Sequence, residues 1–194
     1  MVAAQHLRFL RAFISRPQQV GALAPSSRYL ARAMIKGFDL AHAKVVIEVG
    51  PGTGAFTESI LNAKGADTRL IAIERNPQMA THLRARFPNL ELFVESAEHT
   101  PEILERLGLE RAEYIICGLP WASFSDELQN VLLKSILRSL KETGVFSTFT
   151  YTTTSWLPSA RRFRAKLEAH FANVELTPTV WRNMPPAFAY RCFR

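Results

Sequence analysis

Three glycines and two carboxylates carry the most specific chemistry in this chain. The run Glu48-Val49-Gly50-Pro51-Gly52-Thr53-Gly54 places glycines at alternate positions, which lets the main chain turn sharply and approach a ligand where a side chain would collide with it. Glu74 ends the apolar run Leu70-Ile71-Ala72-Ile73, 20 residues after Gly54, where an acidic residue can accept hydrogen bonds from both hydroxyls of a ribose. A dinucleotide site would use G-x-G-x-x-G and hold a pyrophosphate on a helix N-terminus. Here the spacing differs, and Glu48 would repel a pyrophosphate, whereas a carboxylate suits a positive α-amino group. A dinucleotide, S-adenosylmethionine (SAM), and a Gly-rich turn with no ligand are the three readings to separate.

The elements that must position these residues alternate along the chain. Val45-Val46-Ile47 reads as a buried strand, Ala55 to Leu61 as a helix, Leu70 to Ile73 as a strand and Pro77 to Phe87 as a helix. The rhythm continues with a strand over Leu90 to Val94, a helix over Pro101 to Leu107, a strand over Tyr114 to Cys117 and a helix from Ser125 to Leu140. Gly144 suits a helix C-cap, followed by strand Val145 to Tyr151, helix Ala160 to Phe171, strand Val174 to Leu176 and a last candidate strand over Ala187 to Phe193. Such alternation predicts an α/β fold, a Rossmann-like doubly wound, mostly parallel seven-stranded sheet with an N-terminal helical extension. Residues 1–44 form that extension and residues 45–194 the main domain. In the extension, Leu7, Leu10 and Ile14 share one helical face, widened by Phe9 and Phe13, with Arg8, Arg11 and Arg16 largely off it. Ser26 or Ser27 then caps a second helix running through Leu30, Ala31, Met34 and Ile35 to a stop at Gly37.

The first motif resembles that of the class I SAM-dependent methyltransferases, and Ile71-Ala72-Ile73-Glu74 resembles their ribose-binding acidic position. The resemblance covers about residues 45–150. It implies SAM as cofactor and S-adenosylhomocysteine as product, held by Glu48, Gly50, Gly52, Gly54, Glu74 and Arg75. In that family the segment matching Glu95-Ser96-Ala97-Glu98 flanks the adenine, which brings in Ser96 and Ala97, and Cys117 closes the site. Cys117-Gly118-Leu119-Pro120-Trp121 is similar to the Asn-Leu-Pro-Tyr-like acceptor motif of the ribosomal RNA adenine dimethyltransferases. Gly118 stands where their Asn or Asp accepts from the exocyclic amine, and a glycine has no side-chain acceptor. The run Phe9-Leu10-Arg11-Ala12-Phe13 with Val20-Gly21-Ala22-Leu23-Ala24-Pro25-Ser26-Ser27-Arg28 resembles instead the entry region of bacterial phospholipid N-methyltransferases. That likeness implies methyl transfer to the amine of phosphatidylethanolamine and its partly methylated products, towards phosphatidylcholine. Tyr29, Trp121 and the backbone of Gly118 and Leu119 are expected to shape the acceptor pocket. The rivals are an RNA adenine N6-methyltransferase and a nonenzymatic lipid- or RNA-binding module on the same fold.

Other candidates are less specific. His99 could accept a proton or be an ordinary surface histidine. Arg28, or Arg161, Arg162 and Arg164, could contact a phosphate, although the last three could equally form a solvated helix face.

Composition agrees with a soluble or peripheral protein. Of the net charge of +7, residues 1–44 carry +6, residues 45–154 carry −4 and residues 155–194 carry +5. Basic ends around a mildly acidic middle suit an anionic lipid surface or nucleic acid. A phospholipid substrate and anionic membrane contact through the first helix are the expected partners, with nucleic acid disfavoured. The two cysteines, Cys117 and Cys192, lack a His/Cys cluster nearby, so neither a disulfide framework nor a metal site is expected. The expected location is cytoplasmic, peripheral at the inner face of the cell membrane.

Overall fold

The computed structural model describes residues 26–194. The amphipathic segment over residues 7–16 and the segment over residues 20–25 lie outside the described residues. The first described element is α1 (Arg28–Ile35), started by Ser27, whose hydroxyl accepts from the Leu30 N–H at 3.2 Å. Then follow β1 (Val45–Val49), α2 (Ala55–Ala63), β2 (Arg69–Ile73), α3 (Pro77–Arg86), β3 (Glu91–Phe93) and α4 (Thr100–Arg106). The chain continues through β4 (Ala112–Cys117), α5 (Asp126–Ser139), β5 (Leu140–Tyr151), α6 (Pro158–His170), β6 (Asn173–Leu176) and β7 (Ala187–Phe193). Local sequence explains several of these starts. Asn76 caps α3 with Pro77 in its first turn, and Ser125 caps α5 through the Leu128 N–H.

The strands form one seven-stranded sheet in the order β3-β2-β1-β4-β5-β7-β6. Strands β1 to β5 are mutually parallel, and β7 runs antiparallel to both β5 and β6. This is the expected Rossmann-like, mostly parallel architecture. All five residues of β1 are buried, because a central parallel strand is covered by helices on both faces. Val45, Ile47 and Val49 face a core with Ile103, Leu132, Ile136, Phe163 and Leu167 of α4, α5 and α6. Val46 faces the other core with Leu30, Ala31 and Met34 of α1 and Phe56 and Ile60 of α2. Alternation along one strand thereby separates two cores on opposite faces of the sheet.

One expectation is corrected. Gly144 is not a helix C-cap: α5 ends at Ser139, and the fully buried Leu140 already pairs with Ala112, so the chain enters β5 directly and Gly144 lies inside it. Helix α1 packs onto the sheet. Leu30, Ala31 and Met34 are fully buried, and the Ser147 hydroxyl of β5 donates to the Met34 carbonyl at 2.8 Å. The hydrophobic face of α1 belongs to the same core as the sheet.

Candidate active site

The order of strands reverses between β1 and β4, and the crevice beyond the carboxyl ends of strands at such a point is where α/β sheets bind ligands. Both sequence-derived loops emerge there. The Gly118 N–H donates to the Val49 carbonyl at 2.8 Å and the Gly50 N–H to the Ile73 carbonyl at 2.9 Å, joining the ends of β4, β1 and β2. Gly50, Gly52 and Gly54 all have positive φ, at 68°, 56° and 84°. At Gly52 this is decisive, because its main chain adopts a conformation that L side chains rarely tolerate and faces open space, with no atom within 4 Å of where a Cβ would stand. Leu119 covers the neighbouring position, its Cδ2 lying 2.8 Å from the place of a Gly50 Cβ.

The carboxylate of Glu74, largely buried at the end of β2, accepts from the Gly52 N–H at 3.1 Å and from the Asn76 N–H at 2.8 Å. Burial raises its pKa, opposed by those backbone donors and that of Arg75. One acid therefore ties the glycine loop to the start of α3 and retains lone pairs for ribose hydroxyls. Arg75 itself is exposed.

Glu48 is fully buried on the α1/α2 side of β1. Its Oε2 accepts from the Thr57 hydroxyl at 2.7 Å, while Oε1 has no hydrogen-bond partner. Burial pushes its pKa up to about 8; the Thr57 bonds oppose this and the nearby Glu74 charge adds to it. An orphaned buried carboxylate oxygen beneath a ligand loop is a strong demand for a donor. The open Gly52 cradle, the Glu74 lone pairs and this acid together fit a cofactor that carries a ribose and an ammonium.

On the β3 side, Ser96 makes no capping bond with its hydroxyl and precedes a 3-10 turn over Ala97–His99. Ala97 is 9% exposed, and its carbonyl accepts from Ser135 and Thr100. The main chain of Ala97 is thus fixed against α5. His99 lies at the surface near Glu95 and Glu98. Arg162 and Arg164 face Asp126 and Glu168, as a solvated helix face does. The Cys117 thiol lies in the core with its pKa pushed up to about 12 by burial, so only its main chain can serve the site.

Trp121 is a correction. Instead of walling the acceptor pocket, its indole is 2% exposed, stacked on Phe163 at 4.2 Å, and its Nε1–H donates to Thr148 at 3.0 Å. The 3-10 turn over Trp121–Ser123 returns the chain to the core immediately after Pro120. The loop after β4 is then pinned from below: Gln129 donates to the Trp121 carbonyl at 2.9 Å, and the Ser159 hydroxyl to that of Ala122 at 2.6 Å. Thr148, Gln129, Ser159 and Thr57 were not identified from sequence. They are common polar residues within regular elements, and only packing reveals their roles.

Gly118 owes its identity to a close approach. A Cβ there would lie 2.4 Å from the Gly50 carbonyl oxygen and 3.5 Å from Phe56, a backbone contact that no rotamer can relieve. Gly118→Ala is therefore expected to part the two loops, at a cost of about 1 to 3 kcal/mol. That should weaken cofactor binding about tenfold and lower Tm; calorimetry showing unchanged affinity and Tm would contradict this packing. The same clash opposes an Asn at this position.

Tyr29 lies half-buried on α1. Its hydroxyl accepts from Arg28 and from Arg182 of the β6–β7 loop, at 3.2 and 3.1 Å. A groove of about 880 Å³ between α1 and α2 is lined by Arg28, Arg32 and Thr53 among others, and so reaches the glycine loop.

Comparison with known proteins agrees with this geometry. Residues 46–144 match the family model described as a methyltransferase domain. The chain is 35% identical over 187 residues to an ornithine lipid N-methyltransferase of Singulisphaera acidiphila, covering 95% of this chain and 93% of the relative. Among solved structures, the O-methyltransferase TomG from Streptomyces achromogenes, in complex with SAM, aligns with a TM-score of 0.67 at 17% identity, over 95% of this chain and 88% of that one. The O-methyltransferase from Bacillus cereus, in complex with SAH, aligns with a TM-score of 0.64 at 14% identity, over 98% and 91%. At such identities the structural likenesses speak for the fold.

Proposed function

The chain belongs to the class I SAM-dependent methyltransferases, and from that premise we propose that it methylates the amine of a membrane lipid. The observation that carries this reading is the likeness to a lipid N-methyltransferase along nearly the whole chain. Gly118 supports it, because the loop offers no side-chain acceptor for an exocyclic base amine. Phosphatidylethanolamine and its partly methylated products are the first acceptors to consider, as the entry-region resemblance implies. An ornithine lipid is the second, since the relative is named for one.

Phosphatidylethanolamine and an ornithine lipid both present a primary amine to the same chemistry. Bound in the crevice, SAM supplies a methyl carbon on a sulfonium. An amine with a pKa near 10.4 is only about one part in 2,500 neutral at pH 7, so baring its lone pair costs about 4.6 kcal/mol. Desolvation and nearby positive charge lower that cost, and no strong base is required. The work assigned to the protein is alignment: Glu74 and the glycine loop hold the nucleoside, while the Gly118–Leu119 main chain, pinned by Gln129 and Thr148, borders the acceptor. No helix among the described residues is long and apolar enough to cross a membrane. Peripheral contact from the cytoplasmic side is part of the proposal.

The test incubates the protein with methyl-labelled SAM and, in parallel, vesicles containing phosphatidylethanolamine, vesicles containing ornithine lipid, and total RNA. Label in either lipid supports the reading and names the headgroup. Label only in RNA would overturn it.

A further inference from the structure

The sheet edge that carries the site also carries an unusual amount of exposed apolar surface. Trp181, Met184 and Trp156 are 76%, 71% and 63% exposed. They stand on the β6–β7 and β5–α6 loops. Because Ala187 at the start of β7 pairs with Tyr151 at the end of β5, both loops lie at the carboxyl edge of the parallel strands. The Thr152 N–H joins them by donating to the Pro186 carbonyl at 2.9 Å.

Trp181 is not exposed through looseness of the chain. Trp181 and Arg182 form the tip of a turn closed by the Asn183 N–H on the Val180 carbonyl at 3.2 Å, with the Val180 N–H on Ala187 at 2.7 Å. Asn183, 2% exposed, clamps the turn to α1: its Oδ1 accepts from the Ser27 N–H at 2.8 Å and its amide donates to the Pro185 carbonyl at 2.7 Å. The fold holds this indole in water.

Beside it, two guanidinium groups share one ring. Arg182 and Arg28 lie 5.0 and 5.1 Å from the Tyr29 centroid and both donate to its hydroxyl. Among the described residues neither has a carboxylate within ion-pair distance. Two like charges held together without a counterion favour an anion between or above them. Indole, thioether and arginine in one rigid patch match the amphipathic boundary of a bilayer, where apolar tips enter and cations meet anionic headgroups. Single-stranded nucleic acid can stack on an indole but offers Met184 little.

We propose that this face, comprising Arg28, Tyr29, Trp156, Trp181, Arg182 and Met184, docks on the anionic phospholipid surface that holds the acceptor, presenting the crevice to the headgroups. The inference rests on the lipid-acceptor reading. It adds a second contact surface, built by the fold, to the N-terminal segment expected from the sequence.

The test uses the full chain carrying Trp156→Phe, so that Trp181 is the exposed indole and Trp121 stays buried. With vesicles containing phosphatidylglycerol and bromine-labelled acyl chains, Trp181 fluorescence is expected to be quenched by the bromine and protected from aqueous iodide. Trp181→Ala with Met184→Ala should weaken vesicle binding about tenfold, and Arg182→Ala about fivefold, falling with salt. Cofactor binding and the circular dichroism spectrum report that these variants remain folded. The proposal is overturned if the protein does not bind these vesicles, if Trp181 of bound protein stays open to iodide, or if single-stranded RNA protects it and vesicles do not. Methyl transfer to aminolipid dispersed in detergent, measured beside these assays, separates the two ideas. Transfer without Trp181 insertion sinks the docking face alone, and no transfer to any aminolipid sinks the lipid-acceptor reading.

Discussion

Glu74→Ala is expected to weaken SAM binding by about 10- to 150-fold, the equivalent of roughly 1.5 to 3 kcal/mol for lost hydrogen bonds to a charged group. The effect has two origins. The ribose hydroxyls lose their acceptor, and the Gly52 and Asn76 N–H groups, now bonded to Glu74 at 3.1 and 2.8 Å, lose theirs as well. The glycine loop is therefore loosened in the free protein, and Tm should fall by a few degrees. Glu74→Gln keeps an oxygen for one backbone donor and should restore much of the Tm but little of the affinity, since the charge is gone. Calorimetry decides: an Ala variant that binds SAM as the wild type does would remove Glu74 from the site.

The second large effect concerns Glu48. Its folded pKa of about 8 lies well above the 4.5 of an ordinary glutamate, so the folded protein keeps a proton that the unfolded chain releases. The group's contribution to stability is complete below the unfolded pKa and is lost as pH rises through the folded one. Glu48→Gln, which stays neutral, should therefore melt higher than wild type at pH 9, and the difference should shrink towards pH 5. Cofactor binding should move oppositely. If the cofactor ammonium pairs with the Glu48 carboxylate, binding near pH 7 releases a proton, and affinity rises with pH by up to about tenfold per unit below the folded pKa. The Gln variant should bind weakly, without that acid limb. Titration in buffers of different ionisation enthalpy measures the proton directly; no proton release by the wild type would detach Glu48 from the ammonium. Such a variant would illustrate a common trade: a buried, half-partnered acid lowers stability and serves binding.

Most of the layered architecture was legible beforehand because hydrophobic period and turn chemistry are local. Val45-Val46-Ile47, Leu70–Ile73 and Tyr114–Cys117 announce buried parallel strands, Ser26 or Ser27, Pro77 and Ser125 announce helix starts, and the observed elements fall within a few residues of these expectations. Misreadings arose where a local rule met a tertiary competitor. Gly144 obeys the C-cap rule, but burial of Leu140 draws the chain into the sheet sooner. Trp121 follows the acceptor motif, yet the slot beside Phe163 and the hydroxyl of Thr148 claim its indole.

By itself, the sequence determined which residues could hold a ribose and an ammonium, since glycine spacing, a carboxylate at a strand end and the period of the elements are written in neighbouring residues. Only the tertiary structure decided that Glu48 keeps one oxygen unpartnered, that Gly118 is required by the Gly50 carbonyl, and that Trp181 and Arg182 are clamped beside Tyr29. Each depends on groups distant in the chain meeting within a few ångströms, and burial, steric exclusion and electrostatic coupling come into being only at that meeting.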